Sequence, residues 1–280
     1  MYKLKLLCSS MYMMILFSIR NFLSKEKIVN STSRPKLIVS LTTFTERINK
    51  VHLTIESIFH QDVPFDYEVR LYLSEDEFNR ELLPNTLIRL EERGLKIIFV
   101  GGNIRSYKKL HYAYSENSGL PIVTSDDDIF YPRNWLRKLY ENHEENPFHI
   151  IYMRGREITF NNGKLNKYTD FPLSSGAYPK RYVIPTGVSG ILYPVGCFYI
   201  DYNRLDIIQE LAPYADDLWY RVMSGLNNVD CILIGGKSIH FPPVLGTQSM
   251  SLRKINVDGD SKNDDQFRAL IERYPFFRKD

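Results

Sequence analysis

Cysteine is scarce in this chain. Cys8, Cys197 and Cys231 are scattered without metal-ligand spacing, and their odd number argues against a disulfide framework, so a reducing cytosol is the expected setting. An excess of one charge is equally lacking. Lys and Arg number 36 against 33 Asp and Glu, a net +3 that gives little support to nucleic-acid binding, which needs a concentrated basic face. No Walker-type phosphate loop occurs, and Gly187, Gly190 and Gly196 lack the strand-turn-helix setting of a dinucleotide fingerprint. Internal repeats and low-complexity tracts are absent too. What remains is a chain of 280 residues with ordinary globular composition, 44% hydrophobic and 25% charged, long enough to bury a substantial core.

The amino-terminal segment departs from that even composition. Lys3 and Lys5 precede an uncharged run from Leu6 to Ile19, and Arg20, Lys25 and Lys27 follow it. At about 14 residues the run is shorter than the roughly 17 to 25 a spanning helix needs, and no small-residue cleavage pattern marks a secretory signal. Leu16, Ile19, Phe22 and Leu23 fall at helical spacing beside Arg20 and Lys25, which suits a helix lying in an anionic membrane surface. A helix docked on the protein's own core fits the same residues. Ile28 to Arg34 turns to Asn, Ser and Thr and reads as a linker, so the chain divides into residues 1–34 and a folded domain over 35–280.

From Lys36 onward apolar runs and helical periodicities alternate. Lys36 to Leu41 reads as a buried strand, Lys50 to His60 as an amphipathic helix and Tyr67 to Leu73 as a second strand. A helix opened by Pro84 and closed by Gly94, a strand at Leu95 to Val100, a helix at Ser106 to Tyr114 and a strand at Ile122-Val123 continue the series. Such alternation predicts an α/β fold on a mostly parallel sheet flanked by helices. Beyond it, the periodicity gives a helix around Trp135 to Tyr140, a strand at Ile150 to Met153, and helices at Leu205–Leu211, Leu218–Leu226 and Phe267–Tyr274. Asn161 to Pro179 reads as a long polar stretch of the lid type.

The chain's most demanding feature is Ser125-Asp126-Asp127-Asp128, three acids directly behind the strand Ile122-Val123. Side chains that follow a strand's carboxyl end face the ligand crevice of open α/β sheets, and adjacent carboxylates repel unless something positive neutralises them. Hard oxygen donors suit Mg²⁺ or Mn²⁺ carrying a substrate's phosphates. The plain alternative is an acidic loop capping the helix near Pro132. Lys108 and Lys109 stand on the helix before this strand, where an ammonium reaches a phosphate, or are ordinary surface lysines. Asp216 and Asp217 open a later helix, where one acid caps and the other is spare, or both serve the helix start alone. His240, at the end of an apolar run, is either a metal ligand or a hydrogen-bonded strand-end residue.

Taken together these residues resemble the nucleotide-sugar-dependent glycosyltransferases of the GT-A fold, over roughly Leu37 to Phe241. Four ordered blocks carry the resemblance: Leu41 to Ile48, Ser106 to Leu110, Ser125 to Pro132 and Pro185 to Pro194, similar to those of bacterial polysaccharide glycosyltransferases. The resemblance implies a Rossmann-like GT-A domain and a sugar moved from a nucleotide-diphosphate donor, UDP-sugar first, to a glycan or lipid-linked saccharide acceptor with inversion. It implies that Thr42, Arg47, Lys108, Asp126 and Asp127 border the donor. Asp128 and Asp126, with His240 as the loosest match, would hold Mn²⁺ or Mg²⁺. Asp217, or Asp216 in a swap, would be the base. A peripheral place at the inner face of the cell membrane completes the expectation. The rivals are a metal-dependent nucleotidyl- or phosphotransferase, using the same metal on another bond, and a non-catalytic membrane-associated binding protein.

Overall fold

The structure, a computed structural model, describes residues 2–28, 34–116, 118–247 and 262–277. Of the linker expected over Ile28 to Arg34, residues 29–33 lie outside the described residues. The chain divides into two compact units, Met1–Tyr140 with His240–Met250, and Glu141–Ile239 with Ser251–Asp280.

The first unit begins with helix α1 (Tyr2–Leu23) and then alternates as the periodicity requires: β1 (Ile38–Thr42), α2 (Val51–Phe59), β2 (Glu68–Ser74), α3 (Asn85–Glu92), β3 (Leu95–Val100), α4 (Lys108–Ser115) and β4 (Ile122–Thr124). Helix α5 (Trp135–Glu145) follows. Its four strands pair in parallel in the order β4-β1-β2-β3. The continuous apolar runs of β1 and β2 are buried because helices cover the sheet: Ile38, Val39, Leu41, Val69, Leu71 and Leu73 are wholly inaccessible. The chain builds outward from β1 to β3 and then returns to the other side of β1 with β4. The strand order therefore reverses between β1 and β4, and a crevice outside their carboxyl ends is where open α/β sheets take ligands. Thr42 ends β1 and the acid triplet follows β4, so topology alone brings the first and third resemblance blocks to one place.

Helix α1 belongs to this unit and packs on α2 and α3. Its window Leu6–Leu23 is long and apolar enough to cross a membrane by length and composition, longer than the uncharged run because it admits Arg20. One face is nevertheless docked. Phe17 is buried among Leu53, Phe130 and Val244. Asn21 donates to Glu56 Oε1 at 3.1 Å and to the Thr86 carbonyl at 3.0 Å, and its Oδ1 accepts from Arg89. With α1 over it, α2 is buried along its whole length, including Glu56, which is paired with the equally buried Arg93.

The second unit holds β5 (Ile150–Tyr152), β6 (Gly155–Glu157), β7 (Phe160–Asn161), β8 (Lys164–Leu165), β9 (Val183–Pro185), β10 (Ile191–Tyr193), α6 (Leu205–Leu211), α7 (Asp216–Leu226), β11 (Cys231–Leu233) and α8 (Lys262–Arg273). β5 pairs in parallel with β11 and antiparallel with β10, and β6 pairs antiparallel with β9. The polar stretch expected as a lid opens instead with the hairpin β7-β8. Asn162 at φ 48° and Gly163 at φ 75° are the left-handed pair of a two-residue hairpin turn, a local signal that the stretch's polarity obscured.

Arg93→Met leaves Glu56 charged and buried without its partner, so urea unfolding should show a loss of about 3 to 5 kcal/mol. A loss below about 1 kcal/mol would show that α1 and α2 do not depend on this pair.

Candidate functional site

The three acids behind β4 have three different environments. Asp127 turns inward: Thr43 Oγ1 and Arg47 Nη1 each donate to its carboxylate at 2.6 Å, and its carbonyl accepts from Thr54 Oγ1 at 3.0 Å. Burial pushes its carboxyl above the ordinary range while Arg47 and Thr43 pull against that rise. Asp128 is also buried. Its Oδ2 lies 3.0 Å from the same Arg47 Nη1, and its carbonyl accepts from the Val244 N–H at 2.7 Å. Asp126 is the open member, with its side chain 30% exposed and Lys109 Nζ at 3.1 Å. Its own N–H donates to Tyr131 Oη at 2.9 Å; burial first, and then the negative charge of Asp126, push that phenol well above its ordinary value, so it stays protonated.

Arg47 is the centre of this arrangement. Burial works against its charge, yet Asp127 and Asp128 outweigh that and hold the guanidinium above its ordinary value. Nη2 reaches further, to the Thr247 carbonyl at 3.1 Å, while Lys50 Nζ takes the carbonyls of Leu245 and Gly246. Residues 242–247 thus form a strap tied to the acid loop on one side and to the start of α2 on the other. Phe130 N–H bonding to the Pro242 carbonyl closes it. The positive charge that the triplet demands is supplied first by the protein itself.

The remaining expected donor residues sit along the same carboxyl edge of the sheet. Thr42 Oγ1 donates to the Tyr72 carbonyl at 2.7 Å, which ties the ends of β1 and β2. Lys108 is 2% exposed, with Nζ on Asn103 Oδ1 at 3.0 Å and Glu77 at 3.5 Å; burial lowers its pKa and Glu77 opposes the fall. It is Lys109, not Lys108, that contacts the triplet, because successive helical residues point about 100° apart and only one of the two can face β4. His240 is exposed, and its Nδ1 lies 2.9 Å from the neighbouring Phe241 carbonyl. Among the described residues no group of three or more His, Cys, Asp and Glu side chains is arranged to hold a metal, so His240 is not gathered with Asp126 and Asp128 into one ligand set. In donor chemistry, Asp126 and Asp128 fit a hard divalent cation.

In the second unit, α7 begins at Asp216, two residues earlier than its apolar face suggests. Ala215 is the N-cap and has no side-chain acceptor, so Asp216 stands inside the first turn and not at the cap position where one of the two acids was expected. Both acids lie in the first turn, where the helix dipole favours negative charge. Asp216 is buried; Asp217 is half-buried and accepts a 3.3 Å bond from the Gly187 N–H. Gly187 opens the turn that follows β9, and Gly190 closes it at φ 93°, a conformation that favours glycine. Tyr168, pushed up to about 12 by burial and then by Asp217, shares this neighbourhood with Arg154 and Arg156. Arg156 stacks 5.5 Å over its ring.

Sequence reasoning missed Thr43, Thr54, Tyr131 and the strap. Thr43 and Tyr131 lie inside blocks already singled out, whereas nothing local marks residues 242–247.

No family model matches the chain, and no curated protein matches it in sequence. Solved structures do resemble it. S. aureus TarS 1–349 shares 15% identity at a TM-score of 0.48, covering 86% of this chain and 72% of its own. The mannosyltransferase PcManGT from Pyrobaculum calidifontis, in complex with GDP-Man and Mn²⁺, shares 15% at 0.43, covering 86% and 66%. A 4-diphosphocytidyl-2C-methyl-D-erythritol synthase shares 10% at 0.46, covering 78% and 97%. At these scores the likenesses carry no functional weight, and the chemistry has to come from the side chains.

Asp127→Asn should cost about 3 to 5 kcal/mol of unfolding free energy by leaving Arg47 underpaired in the interior. Asp126→Asn, on a partly exposed acid, should cost less than about 1 kcal/mol. Equal losses in urea unfolding would contradict the division of roles within the triplet.

Proposed function

We propose that this chain is a metal-dependent glycosyltransferase that moves a sugar from a nucleotide-diphosphate sugar, UDP-sugar first, to a glycan or lipid-linked saccharide acceptor with inversion. The observation that supports it is the open carboxylate of Asp126, backed by cation-paired Asp127 and Asp128, at the point where the strand order reverses between β1 and β4. Arg47 and Lys109 bring positive charge to the three carboxylates, and Asp126, the most exposed of them, is the one a bound cation would meet first.

Asp126 and Asp128 would hold Mn²⁺ or Mg²⁺, which supplies charge stabilisation to a departing diphosphate. Asp127 works through Arg47 and Thr43, fixing the loop so that Asp126 stands where it does. Thr42, Arg47 and Lys108 border the donor, and Lys109 joins them because its ammonium already lies beside Asp126. Asp217 takes the proton from the acceptor hydroxyl as that oxygen attacks the anomeric carbon and the sugar-phosphate bond breaks, the nucleoside diphosphate leaving with the bond's electrons. Its half-exposed position at the dipolar start of α7 supports this role over Asp216, which is buried. The basic-flanked helix α1 supports a peripheral place at the inner face of the cell membrane.

Incubation with a panel of nucleotide sugars and Mn²⁺ should release nucleoside diphosphate, with EDTA abolishing the release. Release of pyrophosphate instead would mark a nucleotidyltransferase. Asp217→Asn should keep donor binding and lose on the order of a hundredfold in transfer. Normal transfer by this variant together with loss in Asp216→Asn would reverse the assignment.

A further inference from the structure

Helix α1 is apolar on two opposite faces, and the fold satisfies only one of them. Ser10, Phe17 and Asn21 are buried against the first unit. On the other side Leu7, Met11, Ile15, Ile19 and Phe22 form a row at intervals of three or four residues, each at least 44% exposed and Phe22 73%. The row runs most of the way along a 22-residue helix, about 33 Å long at 1.5 Å per residue. No carboxylate precedes Glu26 in the sequence, Lys3 and Lys5 stand at the start of the helix, and Lys25 and Lys27 are exposed beyond its end. An apolar stripe with cations at both ends and no acid along it matches a surface of acyl chains beneath anionic headgroups.

We infer that α1 lies in the plane of the bilayer, its outer stripe in the acyl boundary and its inner face fixed to the unit that carries the acid loop. This rests on the peripheral membrane placement of the proposed transferase. A transmembrane orientation conflicts with the docked face. From Ser10 to Asn21 the helix runs alongside folded protein, and Asn21 is bonded to Glu56 and Arg89, with Arg93 paired to the same glutamate. Crossing the bilayer would carry these charged groups into hydrocarbon or tear the helix from its seat. Phe17 stacks on Phe130 at 5.7 Å, two residues after Asp128, so the donor loop is held one helix thickness, roughly 10 Å, from the lipid. The acceptor this geometry serves is a saccharide carried on a membrane lipid.

The test places single tryptophans on the stripe of the full chain, Met11→Trp, Ile15→Trp and Phe22→Trp, with vesicles of phosphatidylglycerol and phosphatidylcholine containing brominated lipids. The native Trp135 and Trp219 are fully buried and out of the quencher's reach. An in-plane helix gives the same shallow quenching depth at all three sites. A spanning helix staggers them by about 16 Å between positions 11 and 22, and that result overturns the inference. So does an absence of quenching, or a lipid-free dimer in sedimentation that hides the stripe. Ile15→Glu with Ile19→Glu should weaken vesicle binding at least tenfold without moving the thermal midpoint; unchanged binding would contradict the proposal. These readouts use no sugar donor. A chain that inserts in plane yet releases no nucleoside diphosphate would refute the transferase reading and leave the membrane geometry standing.

Discussion

Arg47 is the residue on which the acid loop depends. One guanidinium pairs with both Asp127 and Asp128 and, through Thr247, ties down a strap from 200 residues further along the chain. Burying three ionic groups together is costly, and such a cluster persists only when each member is paired and hydrogen-bonded. Here Thr43 takes one side of Asp127, Val244 the carbonyl of Asp128, and Phe44 stacks against the guanidinium at 5.1 Å. The outcome is a rigid backbone that leaves Asp126 on its open side. Rigidity of this kind would serve the proposed diphosphate binding, because electrostatic stabilisation of a leaving group depends on charges that do not have to reorganise.

The same economy runs beneath the loop. Phe130 is pinned by Pro242 from one direction and by Phe17 from the other, so a helix at the start of the chain and a strap near its end converge on the residues after β4. Glu56, Arg93, Asn21 and Arg89 extend this with a buried polar network that fixes the angle at which α1 meets α2 and α3. A buried network of this kind specifies one docking geometry where an all-apolar contact would tolerate several.

Much of this was legible from pattern alone. The apolar run over Lys36 to Leu41 became β1, the 3.6-residue period over Lys50 to His60 became α2, and Leu205–Leu211 formed with its expected bounds, because burial on a covered sheet imposes those periods directly. The triplet was legible as a cluster that needs positive charge beside it but not as a division of labour, since adjacent acids look alike until tertiary packing buries Asp127 and exposes Asp126. Which of Lys108 and Lys109 faces the acids depends on the phase of α4, and one residue of uncertainty reverses the answer. Asp216 misled through composition, an acid at a helix start that is not the cap. Helix α1 offered two readings, core and membrane; its docked face bears out the first, and its exposed stripe is what the proposed membrane contact rests on.

The central claim is that the acid loop binds a nucleoside diphosphate through a divalent cation met by the open carboxylate of Asp126. Calorimetric titration of UDP and GDP into the full chain, with Mn²⁺ and then with EDTA, measures this most directly. The account predicts binding with Mn²⁺, none with EDTA, and loss of the metal dependence in Asp126→Asn. Binding of equal strength with and without metal, or no binding of either nucleotide, would contradict it.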